Sequence, residues 1–417
     1  MIAWTEPHGS MSQSHDATVR WTLTIAAVLL TMNLGSPRAL GQSSTYTVLY
    51  NFSGGADGGS PHGGLVADSA GNVYGTATEG GISASCQGFG CGVVYELDTS
   101  ANETVIHSFT GKSDGAYPYA TLVRDTAGNF YGTTAYGGSA AAACASNQLP
   151  GCGVVFRVDP AGQQFLVLHS FGMSDGNNPS SLIRDGAGNL YGTTSSGGAF
   201  EQGVVFKLSA SGKYSILHSF TGGSDGANPL ASLIEDTVGN LYGTTFGGGN
   251  QGCGCGVVFK LDTAGNETVL HSFAGSAQGD GANPVAPLFQ DSSGNLFGTT
   301  EYGGTSSGNG TVFEVDSSGV ETVVFSFSGG TGGAYPDTGV IRGPFAETFG
   351  TTPYGGAHGD GVIFKLRPLY SEVVFYSFNG TEGANPTAPL LPGGAFYGTA
   401  LTGGVYGAGV VFKLIVN

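Results

Sequence analysis

The chain has 417 residues, of which 76 are glycine, and it combines 40% hydrophobic with only 10% charged residues. Disorder needs low hydrophobicity with high charge, collagen needs glycine at every third position, and long helices tolerate little glycine, so the composition excludes these classes. The net charge is −17 and no Lys/Arg cluster occurs, which excludes nucleic acid and anionic membrane surfaces as expected partners. A large, loop-rich, all-β protein remains.

Residues 1–41 have the pattern of a secretory signal peptide. An uncharged, mostly apolar run over residues 21–34 follows Arg20, and the small residues Ala39 and Gly41 stand where a signal peptidase requires them. The run is too short to cross a bilayer as a helix, which needs about 20 residues. A buried N-terminal helix is the alternative.

Export of the mature chain follows from this prediction. We expect residues 42–417 to be secreted or periplasmic, with translation starting at Met1 or Met11. No second apolar segment of similar length follows, so no transmembrane segment is expected in the mature chain.

The rest of the chain repeats one unit seven times. Each copy holds four short stretches rich in Val, Ile, Leu, Phe and Tyr, bounded by Gly, Asp, Asn and Pro, which is the pattern of strands. Four strands in each of seven such repeats predict a β-propeller. The glycine of a recurring Tyr/Phe-Gly-Thr run stands at Gly75, Gly132, Gly192, Gly243, Gly298, Gly350 and Gly398.

The two ends of the repeat region predict how the ring closes. Residues 45–52 (TYTVLYNF) match a fourth strand but precede the first copy, whereas residues 409–415 (GVVFKLI) match a third strand with no fourth after it. The sequence therefore predicts an all-β, seven-bladed propeller of four-stranded antiparallel blades, closed by the N-terminal strand. Closure would remove two exposed sheet edges, and we expect a monomer. An open β-solenoid is the alternative.

The repeat also resembles a known family. The unit at residues 224–273 contains Asp-Gly-x-x-Pro, Gly-Asn-Leu-Tyr-Gly-Thr-Thr and Gly-Val-Val-Phe-Lys-Leu, and it resembles the repeat of the bacterial choice-of-anchor GloVer tandem-repeat proteins over nearly all of residues 45–417. The resemblance implies an extracellular protein without an assigned enzymatic activity. The chain ends inside a blade rather than in an anchor, which favours free secretion or the periplasm. A weaker similarity to NHL-type and lactonase-type propellers concerns the fold alone.

The loop that enters each blade carries a repeated Asp-Gly. Because the first strand of a blade is innermost, we expect these carboxylates to ring the mouth of the central channel, where they could hold a divalent cation. The alternative is an Asx-type turn that is repeated because the blade is repeated. The aspartates are Asp57, Asp114, Asp175, Asp225 and Asp280.

Tyrosines in two loops of the same face predict a binding surface. Tyr136, Tyr302 and Tyr354 precede Gly-Gly pairs in the loops between strands two and three, and Tyr117 and Tyr335 precede repeated prolines. These rings could form stacking platforms for a glycan or a peptide, with ordinary packing over glycine-rich loops as the alternative.

The six cysteines lie in the same long loops and come in pairs. An even count in an exported chain predicts disulfides, and a zinc site is disfavoured because no histidine accompanies the pairs. Pairing within each loop is simplest, while pairing between the loops of blades 1 and 2 stays open. The pairs are Cys86 and Cys91, Cys144 and Cys152, and Cys253 and Cys255.

The remaining polar residues predict no catalytic site. His107, His169, His218 and His271 occupy one repeated position that elsewhere holds Tyr or Phe, so it is interpreted as a packing position in the outermost strand, and His62 is isolated. No nucleophile elbow, phosphate loop or His-Glu metal helix occurs. The irregular residues of the first strands are Arg124, Arg184, Glu235, Gln290 and Arg342, without an acid-base pair.

These observations predict a secreted, non-catalytic propeller that binds an extracellular glycan, a peptide or a surface protein without a cofactor, apart from the cation considered above. The alternative is a metal-dependent propeller hydrolase or lyase that acts at the central channel, since such enzymes need unlike polar side chains converging at one point. A third possibility is a structural component of the envelope.

Overall fold

The computed structural model describes residues 44–83, 85–139, 144, 150–305, 307–343, 347–367 and 371–416. These residues belong to one compact unit, Ser43–Asn417. The predicted signal peptide lies outside the described residues. Within the described ranges, no helix has the length and apolar character needed to cross a membrane.

The described residues form the seven blades of a β-propeller. The chain starts with β1 (Ser44–Asn51). Blade 1 contains β2 (Val66–Ala67), β3 (Val73–Ala77), β4 (Val93–Leu97) and β5 (Glu103–Ser108). Blade 2 contains β6 (Val123–Arg124), β7 (Phe130–Thr134), β8 (Val154–Val158) and β9 (Phe165–Ser170). Blade 3 contains β10 (Asn177–Arg184), β11 (Leu190–Ser196), β12 (Val204–Leu208) and β13 (Tyr214–Ser219).

The second half of the ring continues the same order. Blade 4 contains β14 (Ile234–Glu235), β15 (Leu241–Thr245), β16 (Val257–Leu261) and β17 (Glu267–Ser272). Blade 5 contains β18 (Gly281–Ala282), β19 (Phe289–Gln290), β20 (Leu296–Thr300), β21 (Tyr302–Gly303), β22 (Thr311–Val315) and β23 (Glu321–Ser326). Blade 6 contains β24 (Ile341–Arg342), β25 (Thr348–Thr352), β26 (Val362–Leu366) and β27 (Glu372–Ser377). Blade 7 contains β28 (Phe396–Ala400) and β29 (Val410–Val416), and two 3-10 turns lie at Ser276–Gln278 and Gly330–Gly332.

The ring closes as the sequence predicts. Strand β1 pairs antiparallel with β29, from Ser44 opposite Val416 to Asn51 opposite Val410, so the N-terminal strand is the fourth strand of blade 7. The first strand of this blade is reduced to a bridge between Leu391 and Tyr397. The prediction of seven antiparallel blades closed by the N-terminal strand is confirmed.

Aromatic contacts join each blade to the next. The phenylalanine after each fourth strand is almost fully buried, and its ring meets the aromatic residue of the next blade's third strand at centroid distances of 5.0–5.4 Å. Burial of one such side chain contributes about 1.5–3 kcal/mol. The contacts are Phe52–Tyr95, Phe109–Phe156, Phe171–Phe206, Phe220–Phe259, Phe273–Phe313, Phe327–Phe364 and Phe378–Phe412.

The glycine inside each second strand makes room for that aromatic ring. Gly132 is paired with Phe156 across the sheet, and a Cβ atom on Gly132 would lie 2.6 Å from the Phe156 ring. A glycine inside a strand indicates that another element approaches closely, and the sequence predicts that this element belongs to a neighbouring blade. The structure corrects this: the approaching ring belongs to the adjacent strand of the same blade.

Candidate functional site

The five predicted aspartates lie at the rim of the ring, beside the fourth strands. Each carboxylate accepts a backbone N–H from the start of its own loop, as when the Thr110 N–H donates to Asp114 at 2.9 Å. The expected position around the channel mouth is therefore incorrect, because the loop begins at the rim and reaches the channel only at its proline. The side chains that meet them, at 3.0–3.5 Å, are Tyr50 for Asp57, His107 for Asp114, His169 for Asp175, His218 for Asp225 and His271 for Asp280.

A side chain from the next blade completes each rim contact. Phe165 stacks on His107 with ring centroids 3.9 Å apart, and Tyr214 stacks on His169 at 4.0 Å. In blade 7 the position holds Tyr46, which stacks on Tyr376 at 4.0 Å. In the other four blades it holds a glutamate, and burial raises the pKa of each one to about 7, with a nearby aspartate adding to the rise in three of the four. The glutamates are Glu103, Glu267, Glu321 and Glu372. The repeated histidines thus pack in the rim, as the sequence predicts.

One rim contact comes close to the geometry of a metal site. The ligand atoms of His271, Asp280 and Glu321 lie within 4.8 Å of one another. The Asp280 carboxylate already accepts the N–H groups of Ala274 and Gly281 at 2.8 and 2.6 Å. The cluster is therefore explained as part of the blade interface. A divalent cation at the channel mouth stays a prediction, and the rim aspartates are not placed to hold it.

The channel mouth is lined by the residue that follows each repeated proline. Blade 3 lacks this residue, because only two residues separate Pro179 from Leu182, where the other blades have three. The residue at this position is different in every blade that has it, whereas the rim residues recur from blade to blade. Its occupants are His62, Tyr119, Leu230, Val285, Asp337 and Thr387.

Two polar atoms of this lining lack partners. Asp337 Oδ1 and Thr387 Oγ1, on neighbouring blades, are buried without a hydrogen bond. Burial raises the pKa of Asp337 to about 7, and the nearby Glu301 carboxylate adds to the rise. Burial lowers the pKa of His62, which favours the neutral imidazole. Unsatisfied buried polar atoms are rare in folded proteins, and here they face a cavity.

The mouth has a polar side and an apolar side. Around the ring, Asp337, Thr387, His62 and Tyr119 follow one another on blades 6, 7, 1 and 2, opposite the aliphatic residues of blades 4 and 5. A cavity of about 510 Å³ opens here, and a second of about 260 Å³ lies deeper in the channel. No Lys or Arg is among the described residues that line either cavity. The mouth therefore suits a neutral or cationic ligand with one apolar face.

The predicted tyrosines form two clusters on this face. Tyr117 and Tyr136 meet edge to face at 6.0 Å, and both line the larger cavity. Tyr335 contacts Tyr302 at 5.5 Å and Tyr354 at 6.0 Å. Tyr302 and Tyr354 are 42% and 53% exposed, so their rings are available to a ligand. The second cluster is next to the mouth, because Glu301 lines the larger cavity.

Tyr117 and Tyr335 occupy a backbone position that favours asparagine. The residue before each repeated proline has a positive φ of 53–57°, and four blades place Asn there. Asn tolerates this left-handed conformation, whereas a bulky side chain is strained in it by roughly 1–2 kcal/mol. The Asn283 amide also donates to the Phe246 carbonyl of the preceding blade at 2.8 Å. Two blades thus have tyrosine at a position where asparagine would be more stable.

The cysteines are paired within their loops. The disulfides join Cys86 to Cys91, Cys144 to Cys152, and Cys253 to Cys255, each with a Cα–Cα distance of 5.2 Å. The simplest predicted connectivity is therefore the one observed. The Cys91 carbonyl accepts the N–H of Tyr117 at 3.0 Å, so the first disulfide loop helps to position a mouth tyrosine.

The fold and this site define a seven-bladed β-propeller with its candidate ligand site at the channel mouth. A family model, the Gloeobacter/Verrucomicrobia repeat, matches residues 137–348, about half of the chain. The chain belongs to this family, which confirms the resemblance to the GloVer repeat. A search of curated protein sequences finds no match.

Solved structures share the fold at low sequence identity. A chain described as the extracellular domain of a hybrid two component system from B. thetaiotaomicron matches with a TM-score of 0.56 and 12% identity, over 88% of this chain and 41% of that one. The extracellular domain of a one component system from B. thetaiotaomicron gives 0.55 and 8%, over 89% and 40%. A gluconolactonase from Xanthomonas campestris gives 0.43 and 13%, over 75% and 87%.

The match to the extracellular domains shows the fold alone. This chain spans about two fifths of the length of each of those two domains.

The sequence does not single out the mouth residues, although it contains a signal for them. A search for repeated positions finds the rim and the turns, whereas His62, Asp337 and Thr387 stand at a position where no residue repeats. The signal is that the residue directly after each repeated proline varies from blade to blade, while the proline itself does not. His62 is isolated in sequence only, since it shares the mouth cavity with Tyr119 and Asp337.

Proposed function

We propose that the chain is an exported, non-catalytic propeller that binds a glycan at the channel mouth. Three disulfides support export, because such bonds persist in oxidising compartments. The observation that carries the binding proposal is tyrosine at the strained position of Tyr117 and Tyr335. Strain that a stable fold does not need is a sign of function.

A glycan fits the chemistry of the mouth. A sugar ring has an apolar C–H face, which stacks on tyrosine or packs on Leu230 and Val285, and hydroxyl groups at its edges. The buried oxygens of Asp337 and Thr387 offer partners for those hydroxyls. A peptide remains the competing ligand class, and it would use the same platforms.

Calorimetric titration with soluble polysaccharides and oligosaccharides tests the proposal. Xyloglucan, a mixed-linkage β-glucan and a chitin oligomer are suitable first probes. We expect one of them to bind, and we expect Tyr354→Ala to weaken that binding by about tenfold, because an aromatic platform contributes roughly 1 kcal/mol or more.

Tyr406→Ala is the matched control. Tyr406 is 66% exposed in a loop of blade 7, outside both tyrosine clusters, so its removal should leave affinity unchanged. Equal losses in the two variants, or no binding by any polysaccharide, would contradict the proposal. Release of reducing ends that a chelator abolishes would instead support a metal-dependent hydrolase.

A further inference from the structure

Each blade interface carries a pair of side chains on the face opposite the tyrosines. One is the fourth residue of a third strand, and the other ends the first strand of the next blade. Where both residues of such a pair are charged, their charges are opposite, with one exception. The pairs that end on the irregular first-strand residues are Glu96 with Arg124, Arg157 with Arg184, Lys207 with Glu235, Lys260 with Gln290, and Glu314 with Arg342.

The exception lies between blades 2 and 3. Arg157 and Arg184 line a cavity of about 300 Å³, and the Nε atom of each is buried without a hydrogen-bond partner. Both guanidinium groups act on the Tyr131 hydroxyl, where they oppose the rise that burial gives the pKa of that group. No ion pair of either arginine occurs among the described residues. Two like charges therefore share one cavity.

The equivalent cavity between blades 4 and 5 is compensated. It holds one cation, Lys260, with Asp236, Asp291 and Asp316 in its lining. In the cavity of the two arginines, Ser209 stands where Asp316 stands in the other. Its hydroxyl still accepts the N–H of Lys213 at 3.0 Å, so the turn is kept and the negative charge is removed.

The carboxylates of Asp125 and Asp185 lie in the same kind of turn as those of Asp236 and Asp291, but neither of them lines the cavity of the two arginines. Asp125 accepts hydrogen bonds from Asn129 and Tyr131, and Asp185 accepts them from Asn189 and Tyr191. The described residues that line the cavity include no Asp or Glu. The positive charge of Arg157 and Arg184 is therefore left for a ligand.

We propose that this cavity binds a single oxyanion, a carboxylate, sulfate or phosphate group, between the guanidinium groups of Arg157 and Arg184. A planar guanidinium offers several N–H donors in a fixed fork that suits such anions, and charge-assisted hydrogen bonds are the stronger ones. The site is independent of the channel mouth and lies on the other face of the ring, so it adds a ligand to the proposed glycan.

Calorimetry at constant ionic strength tests the site in the wild-type protein. Sodium sulfate, sodium phosphate and sodium glucuronate are titrated against a chloride background. We expect at least one oxyanion to bind more tightly than chloride. Tighter binding of glucuronate assigns the site to the carboxylate of an acidic sugar, and tighter binding of sulfate or phosphate assigns it to those anions; both results support the proposal.

Arg184→Glu is the informative variant, because it copies the Lys207 and Glu235 arrangement of the next blade interface and should fold. It should lose anion affinity by about tenfold or more and melt at a higher temperature in low salt. Arg157→Gln should weaken binding too, and Lys260→Gln, in the compensated cavity, should not. Unchanged affinity in Arg184→Glu, or the same loss in Lys260→Gln, would overturn the proposal, as would no oxyanion binding above that of chloride.

Discussion

The rim and the channel mouth are formed by the two ends of the same loop, yet they differ in how far they keep the repeat. At the rim, an aspartate meets a Tyr or His of the fourth strand in five blades, and each carboxylate has backbone partners. At the mouth, no residue occurs twice at the position after the proline. Buried atoms without hydrogen-bond partners occur in both regions, in the four rim glutamates as well as in Asp337 and Thr387, so they do not distinguish the two. The difference teaches that repetition here marks what holds the ring together, while its loss marks where a ligand can act.

We call the seven blades and the rim contacts between them the frame. Removal of the closing strand β1 should have the largest effect on the stability of this frame. A chain that lacks residues 44–53 leaves one edge of β29 without its partner strand, so that sheet edge becomes exposed. We expect aggregation or loss of a cooperative melt, measured by calorimetry and light scattering. The control is a chain that begins at Ser44. A cooperative transition at the same temperature in the deleted chain would show that the ring does not depend on this strand.

The rim glutamates should make stability fall as the pH rises. The pKa of Glu103, Glu267, Glu321 and Glu372 is raised to about 7 in the fold, against an ordinary value of 4.5. The folded protein keeps these protons while the unfolded chain releases them, so the contribution is complete below pH 4.5 and is lost as the pH rises through about 7.

Melting temperatures at pH 5 and pH 8 check this dependence. We expect the higher value at pH 5, and we expect replacement of the four glutamates by glutamine to flatten the profile. Glu201→Gln, at an exposed glutamate, should leave the slope unchanged. A profile that is flat in the wild type, or that keeps its slope in the fourfold variant, would contradict this account of the rim.

A methyl group inside a second strand should destabilise the frame by a moderate amount. In Gly132→Ala the new Cβ would lie 2.6 Å from the Phe156 ring, and overpacking of this kind costs about 1–3 kcal/mol. Denaturant unfolding measures the loss. Gly186→Ala is the control, because a Cβ there has no atom within 4 Å. Equal stability of the two variants would mean that the ring does not need the glycine.

The smallest expected change in stability tests whether Tyr335 serves ligand binding at the mouth or the stability of the frame. Tyr335→Asn should stabilise the protein by about 1–2 kcal/mol, since Asn tolerates the left-handed backbone and can bond to the Glu301 carbonyl as Asn283 does to that of Phe246. Polysaccharide binding should weaken at the same time. The reverse change, Asn228→Tyr, should cost similar stability without adding affinity. A destabilised Tyr335→Asn with unchanged binding would place this tyrosine in the frame.

The sequence predicts the frame better than the site for a physical reason. Strand number and closure follow from periodicity, because every blade must bury the same Phe and leave room for the same ring. The location of Asp114 at the rim does not follow from the sequence. One loop runs from the rim to the channel, and the spacing of residues along the chain does not give their distance from the axis of the ring. The proximity of His62, Tyr119 and Asp337 depends on seven blades curving around one axis, so residues far apart in sequence meet only in three dimensions.

The pairing of Ser44 with Val416 has a consequence for how the protein is made. Strand β1 leaves the ribosome before blade 1, but its partner β29 is synthesised only after β2–β28. The hydrogen-bonding edge of β1 therefore stays unpaired while β2–β29 are synthesised, and contacts of such large sequence separation form slowly. A nascent chain in this state is exposed to aggregation until β1 pairs with β29.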